Sequence, residues 1–370
     1  MPNIALQSLI DAVRAAAAGA TPLRIRGGGT KDFLGQRLQG QVLETAQLAG
    51  IVSYEPSELV VTVRAGTPLA QLEAVLAEKG QCLPFEPLRF GSGGTVGGMV
   101  ASGLSGPSRA SVGAVRDYVL GLELVNGRAE ALSFGGQVMK NVAGYDVSRL
   151  MAGAWGTLGV ITTVSLKVLP AAPAEATLKF ECDLADALRR LNAWGGQPLP
   201  LNASCWVEDA GVGTLFLRLR GAVAAVESAC RSLGGERQDN ARTAADWEAC
   251  RDQRLPWFAD RDPAHDLWRL SVPQTAPALA LPAGVDAPLV EWHGGQRWVQ
   301  AGPEHAGALR NAASGAGGHA TLFIAADDHS AEGMERFEPL KPPLDRVHSR
   351  LKAEFDPAGI FNRGRLYAAF

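Results

Sequence analysis

Cysteine is scarce. The five cysteines in 370 residues (Cys82, Cys182, Cys205, Cys230, Cys250) are odd in number and contain no C-x-x-C pair. That excludes a disulfide framework, suits a reducing cytosol, and leaves no thiolate grouping for an iron–sulfur cluster, so any such centre belongs on another polypeptide. Long apolar runs are missing too. Apolar residues reach 46%, yet no stretch approaches the roughly 20 consecutive residues a membrane helix requires. The N-terminus has no basic start ahead of its apolar part, and Asp11 and Arg14 interrupt it at helical spacing, so no export signal is expected. Charge of one sign never accumulates: 35 Lys and Arg stand against 38 Asp and Glu. This removes the electrostatic footprint of a nucleic-acid binder. Nor is there a G-x-x-x-x-G-K-[ST] loop, an H-E-x-x-H or H-x-H spacing, or a G-x-S-x-G elbow, which excludes Walker-type kinases, metalloproteases and serine hydrolases of the usual pattern. The lone G-x-G-x-x-A match at Gly315, Gly317 and Ala320 follows a helical stretch and precedes a strand, the reverse of the Rossmann order.

Glycine, with 43 residues, is plentiful and unevenly spread. Residues 5–18 have helical spacing, LRIR is a short strand running into three glycines, and IVSYE and LVVTVRAG read as strands. Thr67 and Pro68 look like the N-cap and first residue of a helix whose apolar face is Leu69, Leu72, Val75 and Leu76. A glycine-rich stretch leads to the strands YVLGLELV and AEALSFG, and VITTVSLKVL closes at Pro170. Composition then shifts at PAAPAEA. Beyond it a strand, a helix, two strands and another helix suggest an α+β layer. Seven of the eight tryptophans, all but Trp155, lie in this second part. Core packing is the favoured reading for them, and an exposed subset would mark a partner surface.

Two glycine segments can carry chemistry. In RIRGGGTK, successive backbone N–H groups can turn toward one point with no Cβ in the way, making an anion nest to which Arg26 would add a charge-assisted contact and Thr30 a hydroxyl. A tight turn between strands explains that segment equally well. The second, Gly93 to Gly98 followed by Met99 to Gly106, can open a helix against which a ligand backbone lies closely. A dinucleotide pyrophosphate gripped from both sides would use the two together. Farther on, Lys140, Asn141, Tyr145, Asp146 and Arg149 group polar side chains in a small, apolar stretch. Asp146 capping a helix and pairing with Arg149 is the structural alternative there.

In this order, the pieces resemble the FAD-binding domain of the vanillyl-alcohol-oxidase and p-cresol-methylhydroxylase (PCMH) superfamily over about the first half of the chain. More narrowly, RGGGTK, EPSELVVTVRAGTPL, GTVGGMVASGLSGP, MKNVAGYDVSRLMAGAWGTLGVITTVSLKVLP and FDPAGIFNRGRL resemble the FAD-binding subunits of bacterial glycolate oxidase (glycolate dehydrogenase) complexes. The resemblance implies an α+β fold: a two-subdomain PCMH-type domain over 1–172, a smaller α+β cap over 173–340, and a segment, 341–370, returning to the first domain. It assigns the pyrophosphate to Gly27, Gly28, Gly29 and Thr30 with Thr95, Gly97 and Gly98, and Arg26 and Gly94 are expected among the cofactor-binding residues beside them. Ser102, Gly103 and Gly106 would line the same cleft, Gly156, Gly159 and Val160 would run beside the adenosine and flavin, and Asn362 would return near the flavin.

Thr30 stands where some members of the superfamily carry a flavin-linking histidine, so the resemblance implies non-covalent FAD. It also implies oxidation of glycolate and related 2-hydroxy acids to 2-oxo acids, and electron transfer to partners: a homologous flavoprotein catalytic subunit and an iron–sulfur subunit. The location implied is cytoplasmic, with the option of peripheral attachment to the membrane's inner face through the complex. The metal-binding H-x-G-D-G-N-x-H stretch of hydroxy-acid-oxidising relatives has as its nearest text Gly318-His319-Ala320-Thr321, without the aspartate or second histidine. No metal is expected, and no catalytic base is named. A self-sufficient flavin oxidase using Lys140, Tyr145 and His319, and a non-catalytic scaffold of the same fold, are the competing readings. Gly28→Val is expected to expel the cofactor while sparing the fold.

Overall fold

The computed structural model describes residues 4–36, 39–136, 145–326 and 334–368. The chain divides into two compact units, one made of Met1–Ser105, Ala114–Ala171 and Pro339–Phe370, the other of Gly106–Gly113 and Ala172–Glu338. Lys140 and Asn141 lie outside the described residues.

In the first unit, β1 (Leu23–Arg26) and β2 (Gln41–Glu44) form a parallel pair. Next come β3 (Ile51–Glu55), β4 (Val60–Arg64), the short β5 (Gln81–Cys82), β6 (Val119–Val125), β7 (Ala131–Gly135), β8 (Val160–Lys167) and β9 (Leu169–Pro170). Five of them make an antiparallel sheet in the order β3-β4-β8-β6-β7, while β5 pairs with β9. The β-branched run Val60-Val61-Thr62-Val63 is buried on both faces, as a central strand requires. Leu72 and Leu76 of the helix Leu69–Glu78, and Met99 and Val100 of the helix Val96–Ser102, share one core with Val61, Val63, Val164 and Leu166. Thr67 departs from its expected capping role. Its hydroxyl is held by the backbone N–H and carbonyl of Gly50, and the helix starts behind Pro68 without a side-chain cap.

A second core ties the far end of the chain to its beginning. Leu9 and Val13 of the helix Ile4–Ala18 pack with Leu23, Val160, Ile360 and Phe361. Leu23 bridges Phe361 in parallel, its N–H donating to the Ile360 carbonyl at 2.7 Å. Behind this joint lies a buried ion pair. The Lys352 ammonium donates to Asp356 (2.7 Å) and to the carbonyls of Thr157 (2.7 Å) and Phe361 (2.9 Å), and Asp356 accepts from the N–H groups of Ile360 and Phe361. With every donor used, the desolvation of both charges is offset by hydrogen bonds.

The second unit is built on an eight-stranded antiparallel sheet. Its strands are β10 (Ala174–Glu181), β11 (Leu201–Asp209), β12 (Val212–Gly221), β13 (Glu236–Arg237), β14 (Asp266–Ser271), β15 (Leu289–Glu291), β16 (Gln296–Ala301) and β17 (His319–Ile324), ordered β13-β10-β12-β11-β15-β16-β14-β17. The helices Leu184–Gly195 and Val223–Leu233 fill one core, and Ala306–Gly315 another. Trp206, Trp247, Trp268, Trp292 and Trp298 are buried, and Trp194 and Trp257 half-buried. None of the seven is exposed, so core packing accounts for them.

One segment changes sides. Residues 106–113, expected with the glycine-rich domain, belong to the second unit because Trp292 and His293 hold them. The Trp292 indole N–H donates to the Gly106 carbonyl at 3.0 Å, the Arg109 guanidinium lies 4.6 Å over the Trp292 ring, and the Ser111 hydroxyl is 3.0 Å from His293 Nε2. Both Trp292 and His293 sit at positive φ, 54° and 55°. Such backbone is costly for large side chains and persists where surrounding contacts over-determine it. The α+β class is as the resemblance implied. The divisions fall after Ala171 and before Pro339, with this eight-residue exchange between them.

Candidate cofactor-binding site

The chain leaves β1 at Arg26 and enters Gly27-Gly28-Gly29-Thr30, which line a cavity of the first unit. Close approach explains why glycine is needed. A Cβ on Gly28 would overlap the Gly93 carbonyl, and one on Gly27 would stand 2.5 Å from Thr95 Oγ1. Gly29 turns at φ 69°. The two glycine segments are therefore in direct contact.

Their roles differ. In the second segment the first three N–H groups of the helix are already taken: Val96 donates to the Thr67 carbonyl (3.0 Å), Gly97 to that of Ala65 (2.7 Å), and Gly98 to its own N-cap hydroxyl, Thr95 Oγ1 (3.2 Å). Those three donors of this seven-residue helix are therefore not free to meet an anion. The helix supplies a wall instead, with Gly97 pressed against Ala65, where a Cβ would be 2.7 Å from the alanine methyl. In the first segment the reverse holds. Among the described residues, no acceptor takes the backbone N–H of Gly27, Gly28, Gly29, Thr30 or Lys31. Backbone donors left unpaired cost free energy unless water or a ligand meets them. Five in succession around a glycine turn remain available to water or a ligand.

The opposite wall comes from distant sequence. Asn362, at φ 39°, accepts from the Ile25 N–H at 2.8 Å and donates to the Trp155 carbonyl at 2.6 Å, so one side chain joins β1, the Trp155-Gly156 turn and the chain's last segment. Gly156, at φ 70°, has no room for a Cβ, which would lie 2.7 Å from Asn362 Nδ2. Arg365 donates to the Lys31 carbonyl and lies over the Trp155 ring.

Charge in the cavity is distributed unexpectedly. Arg26, assigned the anion contact by sequence, is held by Asp32 (2.8 Å), which also binds Arg24 (2.7 Å). Lys31 has no carboxylate within ion-pair reach among the described residues. Its ammonium lies 5.8 Å from the Phe90 ring centroid, and burial pulls its pKa from 10.5 down to about 8.

Twelve of the sixteen residues expected from sequence line this cavity: Arg26 to Thr30 from the first loop, Thr95, Gly97, Gly98 and Ser102 from the second, then Gly156, Gly159 and Asn362. Four do not. Gly94 spends its carbonyl on the Leu69 N–H (2.8 Å), and Gly103 ends its helix at φ 62° with its face against Gly153. Val160 is fully buried in the core around Leu23, and Gly106 lies in the second unit. Lys31, Asp32, Trp155 and Arg365 also line the cavity and received no role from sequence, although Lys31 stands inside the motif RGGGTK. Tyr145 is 97% exposed, and Asp146 does cap the next helix, accepting from the Arg149 N–H and pairing with its guanidinium at 2.9 Å. His319 opens β17 in the second unit, its pKa lowered chiefly by burial.

A glycine nest walled by a second glycine segment is the arrangement against which known proteins can be compared. The family described as FAD binding domain matches residues 6–135. Glycolate oxidase subunit GlcE of Escherichia coli (strain K12) is 44% identical over 362 residues, covering 98% of this chain and 97% of the relative. This chain belongs to the GlcE family. Shorter matches are shared with other relatives: glycolate oxidase subunit GlcD of Bacillus subtilis (strain 168), 32% identical over 38% of this chain and 29% of that one, and a D-lactate dehydrogenase of Archaeoglobus fulgidus, 34% identical over 40% and 33%. A solved alkyldihydroxyacetonephosphate synthase superposes with a TM-score of 0.65 at 16% identity, covering 96% of this chain and 75% of the other, which shows a shared fold. Among the described residues of this GlcE relative, no helix is long and apolar enough to cross a membrane.

Proposed function

We propose that this chain is the FAD-binding subunit of a multi-subunit oxidoreductase that converts glycolate and related 2-hydroxy acids to 2-oxo acids and passes electrons to partner redox centres. The full-length match to a glycolate oxidase subunit supports it, as do the shorter matches to GlcD and a D-lactate dehydrogenase. The observation that carries the cofactor assignment is the run of five N–H groups from Gly27 to Lys31 for which no described residue is an acceptor. A pyrophosphate satisfies them, and the glycines leave room for its close approach.

On this reading FAD is held without a covalent bond, since Thr30 offers no linking nitrogen. Gly27 to Lys31 orient the pyrophosphate, Thr95, Gly97, Gly98 and Ser102 exclude water on one side, and Gly156, Gly159 and Asn362 close the other. Bound FAD supplies a two-electron acceptor. The partners proposed are a homologous flavoprotein subunit and an iron–sulfur subunit, in a cytoplasmic complex attached peripherally to the membrane.

The test is a purification of the full chain with and without its co-expressed partners. Yellow protein whose flavin is released intact by acid, in about one equivalent, is the expected result. A colourless chain that takes up no added FAD overturns the cofactor reading, and flavin that stays with acid-precipitated protein overturns its non-covalent form. Glycolate-dependent reduction of an added acceptor should require the partners. Rapid anaerobic bleaching of the isolated chain by glycolate would show instead that this chain oxidises the substrate alone.

A further inference from the structure

Arg26 is the cation that the glycine loop would be expected to offer an anion, but the Asp32 carboxylate occupies it at 2.8 Å and the Glu44 carboxylate stands 3.9 Å away. Arg24 shares Asp32 at 2.7 Å. Among the described residues Lys31 has no such partner. It lines the same cavity at the end of the loop, with its ammonium 5.8 Å from the centroid of the Phe90 ring, which is itself fixed edge-on against Phe33 at 5.2 Å. A desolvated ammonium without a counter-ion destabilises the empty fold, and lysine shifts readily when buried. The backbone donors of its own loop, Gly27 to Lys31, point to an anion as the missing partner.

We infer that Lys31, rather than Arg26, supplies the ion pair to the FAD pyrophosphate. The inference rests on the proposal that this cavity holds FAD, and it assigns Lys31 as a cofactor-positioning residue. Protonated Lys31 binds the anion, and the neutral amine does not. With the free-state pKa near 8, affinity should fall as pH rises above about 8, by up to about tenfold per pH unit, until the raised pKa of the bound state is passed.

The experiment titrates full-length apoprotein with FAD and, separately, with riboflavin, which lacks phosphate. Lys31→Met should weaken FAD binding roughly 30- to 100-fold near neutral pH, leave riboflavin binding unchanged, and abolish the alkaline loss. Lys31→Arg should retain FAD binding and lose the pH dependence. The apo melting temperature of Lys31→Met should equal or exceed that of the wild type, because an uncompensated charge is gone. Equal weakening of FAD and riboflavin, or FAD binding by Lys31→Met as tight as the wild type's, overturns the assignment while leaving the cavity's FAD reading intact. Failure of the wild-type chain to bind FAD overturns that reading, and this one with it.

Discussion

The carbonyl of Gly93 occupies the space that a side chain on Gly28 would need, so the two glycine segments of the cavity meet backbone to backbone. Gly28 therefore matters to the fold as well as to a ligand. Gly28→Val cannot be the clean cofactor-release variant that the sequence suggested. Even Gly28→Ala must push the loops apart, at a cost of about 1–3 kcal/mol typical of overpacking. Thermal melting of the apoprotein and flavin content should fall together. A Gly28→Ala protein that melts like the wild type would contradict the contact.

Gly98 provides the cleaner variant. A Cβ there meets only Thr95 Oγ1, at 3.2 Å, and the residue lies within the helix Val96–Ser102. Alanine favours a helix over glycine by about 1 kcal/mol. Gly98→Ala should hold or slightly raise the apo melting temperature and weaken FAD binding about tenfold, because the new methyl enters the cavity. Equal affinity in wild type and variant would place the cofactor elsewhere.

Asn362→Ala removes a donor and an acceptor at once. The Ile25 N–H and the Trp155 carbonyl lose their partner, and alanine keeps a left-handed backbone that asparagine tolerates better. Destabilisation of about 2 kcal/mol is expected. Denaturant titration measures it, and faster FAD release should accompany it. A loss below about 0.5 kcal/mol would show that the clasp contributes little.

His293 should make the second unit acid-sensitive. Burial pulls its pKa from 6.5 down to about 4, so the folded state keeps a neutral imidazole while the unfolded chain takes a proton. Above pH 6.5 both are neutral and nothing changes. As pH falls from 6.5 toward 4, stability is lost at up to about 1.4 kcal/mol per unit. His293→Asn, which suits the positive φ and cannot titrate in this range, should flatten the dependence of melting temperature on pH over that window. An unchanged acid slope would assign the sensitivity to other groups.

Much of the fold was legible in the sequence because its signals are local. The β-branched run at Val60–Val63, the apolar spacing of Leu69, Leu72 and Leu76, and the break at Pro170 each report on their own neighbourhood. The glycine segments were legible for the same reason. What stayed hidden depends on who meets whom. Nothing near Thr95 announces that Thr67 and Ala65 consume the next N–H groups, or that Asp32 claims Arg26. Gly106 follows its glycine-rich segment without a break in pattern, and its partner Trp292, 186 positions later, belongs to the other unit. Asn362 was reached through resemblance alone, since no spacing connects it to Ile25.

The hydrogen bond from Ile25 to Asn362 spans 337 positions, and the whole second unit is threaded between its ends. On the ribosome, then, the cofactor cavity is closed only after the second unit has been synthesised. A nascent chain carrying the glycine loop, the Trp155 turn and the complete eight-stranded sheet still has an open flank beside β1. That gap closes only when the segment after Asp356 emerges and is tied down by Lys352. A ribosome stalled before residue 360 would hold a chain whose cavity lacks the wall that Asn362 completes.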